Sequence, residues 1–212
     1  MSISLFKEGH RLYVTPEERE ILLAIAKDLP PKERTLCETL AFTGCRISEA
    51  LHLSRDSVDL SSKCVVFKTL KQREVDISRA VPVPDTYLDT MKLVHGLIGS
   101  DRRHDPRPET LWPWKRTKAW EIIKTWFDKA GIHGPWASPK GLRHGFAVNA
   151  ITRGVPLTFI KRWLGHSSLE TTEIYLQAIG PEEYEIASRM WIPHQDLPHL
   201  TAVIGSGNPQ KT

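Results

Sequence analysis

Three side chains set in order along one stretch carry the chemistry that stands out. Between Ser138 and Gln177 the chain puts Arg143 and His144 at a helix start, Leu164-Gly165-His166 at a helix end, and Tyr175 beyond them. A planar guanidinium grips two phosphate oxygens at once. An imidazole at a helix end holds a third, and a phenol becomes an oxygen nucleophile once its surroundings favour the phenolate. Together they suggest a phosphate held in place while a tyrosine attacks it, a set that needs no metal and no cofactor. Taken singly, each is more often a surface or satisfied core residue of an amphipathic helix. Their joint order and spacing raise them above that reading.

Two further stretches bring charge. In Thr43-Gly44-Cys45-Arg46-Ile47-Ser48-Glu49 an arginine and a glutamate share one turn. An exposed pair of that kind contributes only tenths of a kcal/mol, but the Thr-Gly start points to Arg46 tucked at a tight turn. Lys68-Thr69-Leu70-Lys71-Gln72-Arg73 is a basic connection between two apolar runs. It either delivers an ammonium proton donor to a leaving alkoxide or touches backbone phosphates.

Leu142-Arg143-His144, Leu164-Gly165-His166 and Tyr175 resemble the second-arginine box, the Gly-His box and the nucleophilic tyrosine of the tyrosine recombinases, also called the phage integrase family. Thr43 to Leu51 resembles the first-arginine box, T-G-x-R-x-S-E, and the match runs collinearly from about Thr15 to Trp191. The resemblance implies a mainly α catalytic-domain fold with a small antiparallel β-sheet, acting on double-stranded DNA. The implied activity is site-specific cleavage and rejoining of strands through a 3'-phosphotyrosyl intermediate, in integration, excision or inversion. Arg46 and Arg143 would clamp the phosphate, His166 would donate a hydrogen bond to it and Tyr175 would attack. Lys71, which fits the family's T-x-K strand ending, would be the general acid, with Lys68 as runner-up; Glu49 would orient its neighbours. Where the family has H-x-x-R, this chain has Lys140-Gly141-Leu142-Arg143. Lys140 steadies negative charge, yet an ammonium does not readily serve as a neutral base near pH 7, so the acceptor of the Tyr175 proton is left open. His144 is expected to face inward and support its helix.

The resemblance also implies a homotetramer on two DNA sites, joined through the C-terminal helix. Only about fourteen residues precede Thr15, so the family's N-terminal DNA-clamping domain is expected to be absent and an accessory DNA-binding protein to help. The domain reading is an arm over 1–14, a catalytic domain over 15–192 and a flexible tail over 193–212. Two rival readings stand beside it: a catalytically impaired DNA-binding regulator derived from a recombinase, and a topoisomerase-like enzyme that nicks and reseals.

Composition agrees with one good core or at most two small domains. With 212 residues, 40% of them hydrophobic and 25% charged, the chain has the balance of a soluble globular protein. A net charge of +4 and a pI near 9.0 favour a polyanionic partner without establishing one. Cys37, Cys45 and Cys64 are odd in number and lack C-x-x-C spacing, which argues against a disulfide framework or zinc site. Neither a signal peptide nor a transmembrane run is visible, so a cytoplasmic, nucleoid-associated protein with no membrane contact is expected.

Helices must position these groups. Thr15-Pro16-Glu17-Glu18 reads as a capping box opening a helix over Ile21, Leu22, Ile25 and Ala26, ended by Pro30-Pro31. A second helix over Leu36 to Phe42 stops at Gly44, and Arg46 opens the next, with Ile47, Ala50, Leu51 and Leu53 buried. Cys64–Phe67 and Ala80–Val83 read as a hairpin, followed by helices over Asp85–Leu97 and Thr117–Ala130, the latter with Trp120, Ile123, Trp126 and Phe127 inward. Between those helices lies a loop over 99–110, after which Trp112 and Trp114 cap the core. Ser138-Pro139 starts the Arg143 helix. Pro156 starts one with Phe159, Ile160 and Trp163 inward, Thr171–Gln177 presents Tyr175, and Pro181 opens the last.

Overall fold

The computed structural model describes residues 5–7, 9–68, 78–97 and 110–178. It is mainly helical with small antiparallel sheets, as expected. Within the stretch read as an arm, β1 (Phe6–Lys7) and β2 (His10–Arg11) pair antiparallel, with Leu5 and Val14 buried beside them. Thr15 then accepts the Glu18 N–H while the Glu18 carboxylate accepts that of Thr15, opening α1 (Pro16–Ala26). Pro30-Pro31 does not simply end that helix. It starts α2 (Pro31–Thr43), where a proline in the first turn loses no hydrogen bond.

Helix α2 is the buried axis, with every residue from Thr35 to Ala41 inside. Its threonines survive there because Thr39 and Thr43 donate to the carbonyls of Thr35 and Thr39. Gly44 ends the helix at φ 61°, and a Cβ there would lie 2.6 Å from the Phe146 ring. Arg46 caps α3 (Ile47–Leu51). A three-stranded sheet of β3 (Val58–Asp59), β4 (Cys64–Lys68) and β5 (Ser78–Pro82) follows, in that order, with Val65 opposite Val81 and Phe67 opposite Arg79. The sequence suggested two strands; β3 is only two residues in a polar stretch, too short to leave an alternation.

Helix α4 (Asp85–His95) packs on α2, and α5 (Arg116–Lys129) on α1, α2 and α3. Trp112 is fully buried and its indole donates to Lys32 O; Trp114 is half-buried. The inward stripe of α5 is Ala119, Ile122, Ile123, Trp126 and Phe127. Trp120, expected inside, lies off that stripe and is half-exposed beneath the Lys124 ammonium. Helix α6 (Pro139–Thr152), capped by Ser138, runs through the core to α7 (Leu157–Leu164) and α8 (Glu170–Glu173), and a 3-10 turn, Ile174–Ala178, closes on α6. Phe159, also expected inside, is 42% exposed beside Arg162, because Ile160 takes the inward position. Among the described residues no helix is long and apolar enough to cross a membrane.

The first turn of α6 is pressed against the preceding loop. A Cβ on Gly141 would sit 1.8 Å from the Trp136 carbonyl oxygen, and the Gly141 carbonyl accepts the Val14 N–H. Gly141→Ala is therefore expected to destabilise the protein by about 1–3 kcal/mol, read as a lower urea midpoint; an unchanged midpoint would show that this turn is not tightly packed.

Candidate active site

Arg143 enters from the start of the second turn of α6 and is buried. Its Nη1 donates to Gly44 O at 2.9 Å and its Nη2 to Leu164 O at 2.7 Å. The guanidinium therefore ties the residue after α2 to the last residue of α7. Burial, then the charge of Arg46, brings its pKa down to about 10, with Glu49 and Tyr175 opposing, so it remains a cation at neutral pH.

Arg46 is pinned by its backbone more than by its side chain. Its N–H donates to Glu49 Oε2 at 2.7 Å and its Nη1 to Oε1 at 3.0 Å. The side chain is 53% exposed, half in solvent instead of tucked into the turn. The same carboxylate receives Arg79 Nη2 at 2.8 Å. Burial raises the Glu49 pKa, but the hydrogen bond and charge of Arg79, the Arg46 N–H and the Arg143 charge outweigh it and hold the carboxyl below its ordinary value.

Arg79 is the residue that sequence reading missed. It is buried on β5, donates from Nε to Trp163 O at 2.8 Å, lies 4.6 Å over the Phe67 ring and packs against Gly165, where a Cβ would meet its Nη1 at 3.1 Å. One signal was available: Arg79 and Val81 occupy the same inward face of a strand, and a charge facing a core requires a partner.

His166 follows α7 just past Gly165, half-buried, with Nδ1 2.9 Å from the Thr172 hydroxyl. Its ring is stacked with that of Tyr175, centroids 6.3 Å apart and planes at 12°. Tyr175, expected to be presented by a short helix, is instead only 1% exposed. Its hydroxyl is 3.0 Å from Nδ1 of His144. His144 does face inward, yet it touches the phenol oxygen instead of merely bracing α6. Burial lifts the Tyr175 pKa to about 12 against the pull of Arg143 and Arg46. Burial and the neighbouring cations lower His166 to about 3 and His144 to about 4.

Five segments distant in sequence thus bring Arg46, Glu49, Arg79, Arg143, His144, His166 and Tyr175 together. Lys140 stays on the exposed side of α6, one turn before His144. Lys68 ends β4 exposed, and Lys71 lies outside the described residues. The result is a neutral phenol and two neutral imidazoles beside three guanidinium groups and a single carboxylate, an excess of positive charge suited to an anion.

The model of the phage integrase family matches residues 13–179. Tyrosine recombinase XerA of Thermococcus kodakarensis is 31% identical over 170 residues, covering 76% of this chain and 56% of that protein. The chain spans about half the length of the curated relatives it matches. Among solved structures, the crystal structure of XerA recombinase superposes with a TM-score of 0.70 at 23% identity, covering 86% of this chain and 66% of the other. XerH recombinase in a post-cleavage complex with palindromic difH substrate gives 0.69 at 23% identity, over 90% and 57%.

Two outcomes follow from the buried charges. Arg79→Met leaves the Glu49 carboxylate largely buried without its strongest partner, a loss of about 3–5 kcal/mol; adding Glu49→Gln is expected to restore part of it in the same urea titration. His95, His144 and His166 have folded pKa values lowered from 6.5 to about 4, 4 and 3. Unfolded, each binds a proton below pH 6.5 that the folded form refuses, so stability present above 6.5 is lost as pH falls towards 4. The urea midpoint is expected to fall from pH 7 to pH 5.

Proposed function

The chain belongs to the phage integrase family, and from that premise we propose that it is a site-specific DNA strand transferase working through Tyr175. A phosphodiester enters beside the half-exposed Arg46 and is clamped by Arg46 and Arg143. With the Thr172 hydroxyl donating a hydrogen bond to His166 Nδ1, the neutral ring carries its proton on Nε2 and offers it to a phosphate oxygen. Tyr175 attacks phosphorus, forming a 3'-phosphotyrosyl bond as the bond to the 5'-oxygen breaks; that oxygen takes a proton from Lys71. Lys140 adds positive charge at the rim, and Glu49 keeps Arg46 in place. The covalent link retains the phosphodiester energy, so a new 5'-hydroxyl reverses the step without ATP. Four copies on two DNA sites, joined through residues 181–191, would exchange strands and not simply reseal them.

The observation that carries this reading is geometric: Arg143, held between Gly44 and Leu164, brings the turn of Arg46 and the turn of His166 to the same place as Tyr175, whose hydroxyl meets His144 and whose ring stacks on His166. XerA and XerH, which share the fold, are recombinases by name, and XerH is seen bound to its DNA substrate. The near-complete burial of Tyr175 favours a second reading, a DNA-binding regulator that does not cleave.

One experiment separates them. A labelled pool of nicked duplexes with randomised cores is incubated with the full chain, and covalent complexes are captured in detergent. The unsubstituted protein is expected to yield an adduct that Tyr175→Phe abolishes and that Arg46→Ala slows about 10²–10³-fold, the scale for one lost transition-state donor. Sequence-selective binding without an adduct would establish the regulator.

A further inference from the structure

We infer that His144 takes the proton of Tyr175 as the phenol oxygen bonds to phosphorus; this rests on the strand-transfer reading above. The need for an acceptor is chemical. A phenol that becomes a phosphate ester must lose its proton, and the residue one turn earlier on α6, Lys140, is a donor-only ammonium when charged.

Geometry singles out the imidazole. Nδ1 of His144 is 3.0 Å from the Tyr175 oxygen, within direct transfer distance. The competing imidazole is turned away: His166 Nδ1 is engaged by Thr172, and its ring lies stacked alongside Tyr175 with planes at 12° and not edge-on to the hydroxyl. Among the described residues, Nε2 of His144 is buried with no hydrogen-bond partner. A histidine that served only to brace α6 would be expected to use both nitrogens; among the described residues its hydrogen bonding is with the phenol alone.

The groups facing this imidazole are Lys140 and Arg143 from its own helix, together with Tyr175 and His166 from the segment after α7. Among the described residues no carboxylate contacts it, and burial with the charges of Lys140 and Arg143 keeps it neutral at pH 7. Its weak basicity is no obstacle, because the phenol proton becomes far more acidic once the oxygen begins to bond to phosphorus. The bound phosphodiester brings the negative charge that the new imidazolium requires. The proton count closes: one passes from Tyr175 to His144 while another passes from Lys71 to the 5'-oxygen, and rejoining returns both.

The test uses the full chain and a nicked duplex recovered by the covalent capture above. His144→Asn places an oxygen near Nδ1 that accepts a hydrogen bond but takes no proton. With unfolding midpoint and DNA affinity preserved, adduct formation is expected to slow about 10²–10⁴-fold, the range for general acid–base catalysis. The decisive arm replaces Tyr175 by trifluorotyrosine, whose more acidic phenol needs less help: it is expected to recover most of the rate in His144→Asn. A merely structural role would not respond to phenol acidity. Three results overturn the inference: a His144→Asn rate within twofold of the unsubstituted chain or faster, a slow rate that fluorination leaves unchanged, or fluorination rescuing Lys140→Met instead. Absence of any adduct in the unsubstituted protein overturns the strand-transfer reading itself, and this one with it.

Discussion

Everything at the centre of this protein depends on where one buried guanidinium finds its partners. Among the described residues Arg143 makes no hydrogen bond or ion pair with a carboxylate. It donates to Gly44 O and Leu164 O, carbonyls at the C-terminal ends of α2 and α7. Helix C-termini leave carbonyls unsatisfied and carry the negative end of the dipole. Two such ends, converging on one side chain, stabilise a cation without neutralising it. A direct ion pair would have cancelled the charge that an incoming anion needs. The same two bonds fix the distance between the turn that carries Arg46 and the turn that carries His166.

A second cation performs the complementary task. Arg79 does spend its charge on a carboxylate, and Glu49 is thereby held where it also receives the Arg46 backbone and guanidinium. Because Arg79 lies between Phe67, Trp163 and Gly165, the sheet, α3 and the end of α7 meet at one side chain. Local positive charge is thus divided by function: one arginine is consumed by architecture, one is half-consumed, and one is kept cationic by helix ends. Close packing makes this division rigid, since Gly44 and Gly141 each occupy places where a single methyl would collide.

Much of this was legible beforehand, and the reasons are local. The capping box at Thr15, the Ser138 cap and the left-handed glycines 44 and 165 are decided by residues within one turn of each other, so the chain announces them. The boxes around Arg46, Arg143, His166 and Tyr175 are likewise short local motifs, recognisable by their resemblance to those of the family. What remained hidden depends on contacts between distant segments. Arg79 looks like an ordinary strand residue until Glu49 and Trp163 are placed beside it. The burial of Tyr175 and its bond to His144 arise only when the turn after α8 folds onto α6. Trp120 and Phe159 were misplaced because apolar character favours burial, whereas the stripes of α5 and α7 were already filled by Ile123 and Ile160.

The register of the sheet has a consequence for how such a protein diversifies. Lys68 and Ser78 stand opposite each other as the last pair of the β4–β5 ladder, and Arg79 is the next residue along. The anchoring arginine is therefore locked by the ladder itself and by α7, independently of the nine positions between 68 and 78. Sequence change at those positions would leave the bonds of Arg79 to Glu49 and Trp163 in place, so a lineage could vary there and still keep the anchor of β5.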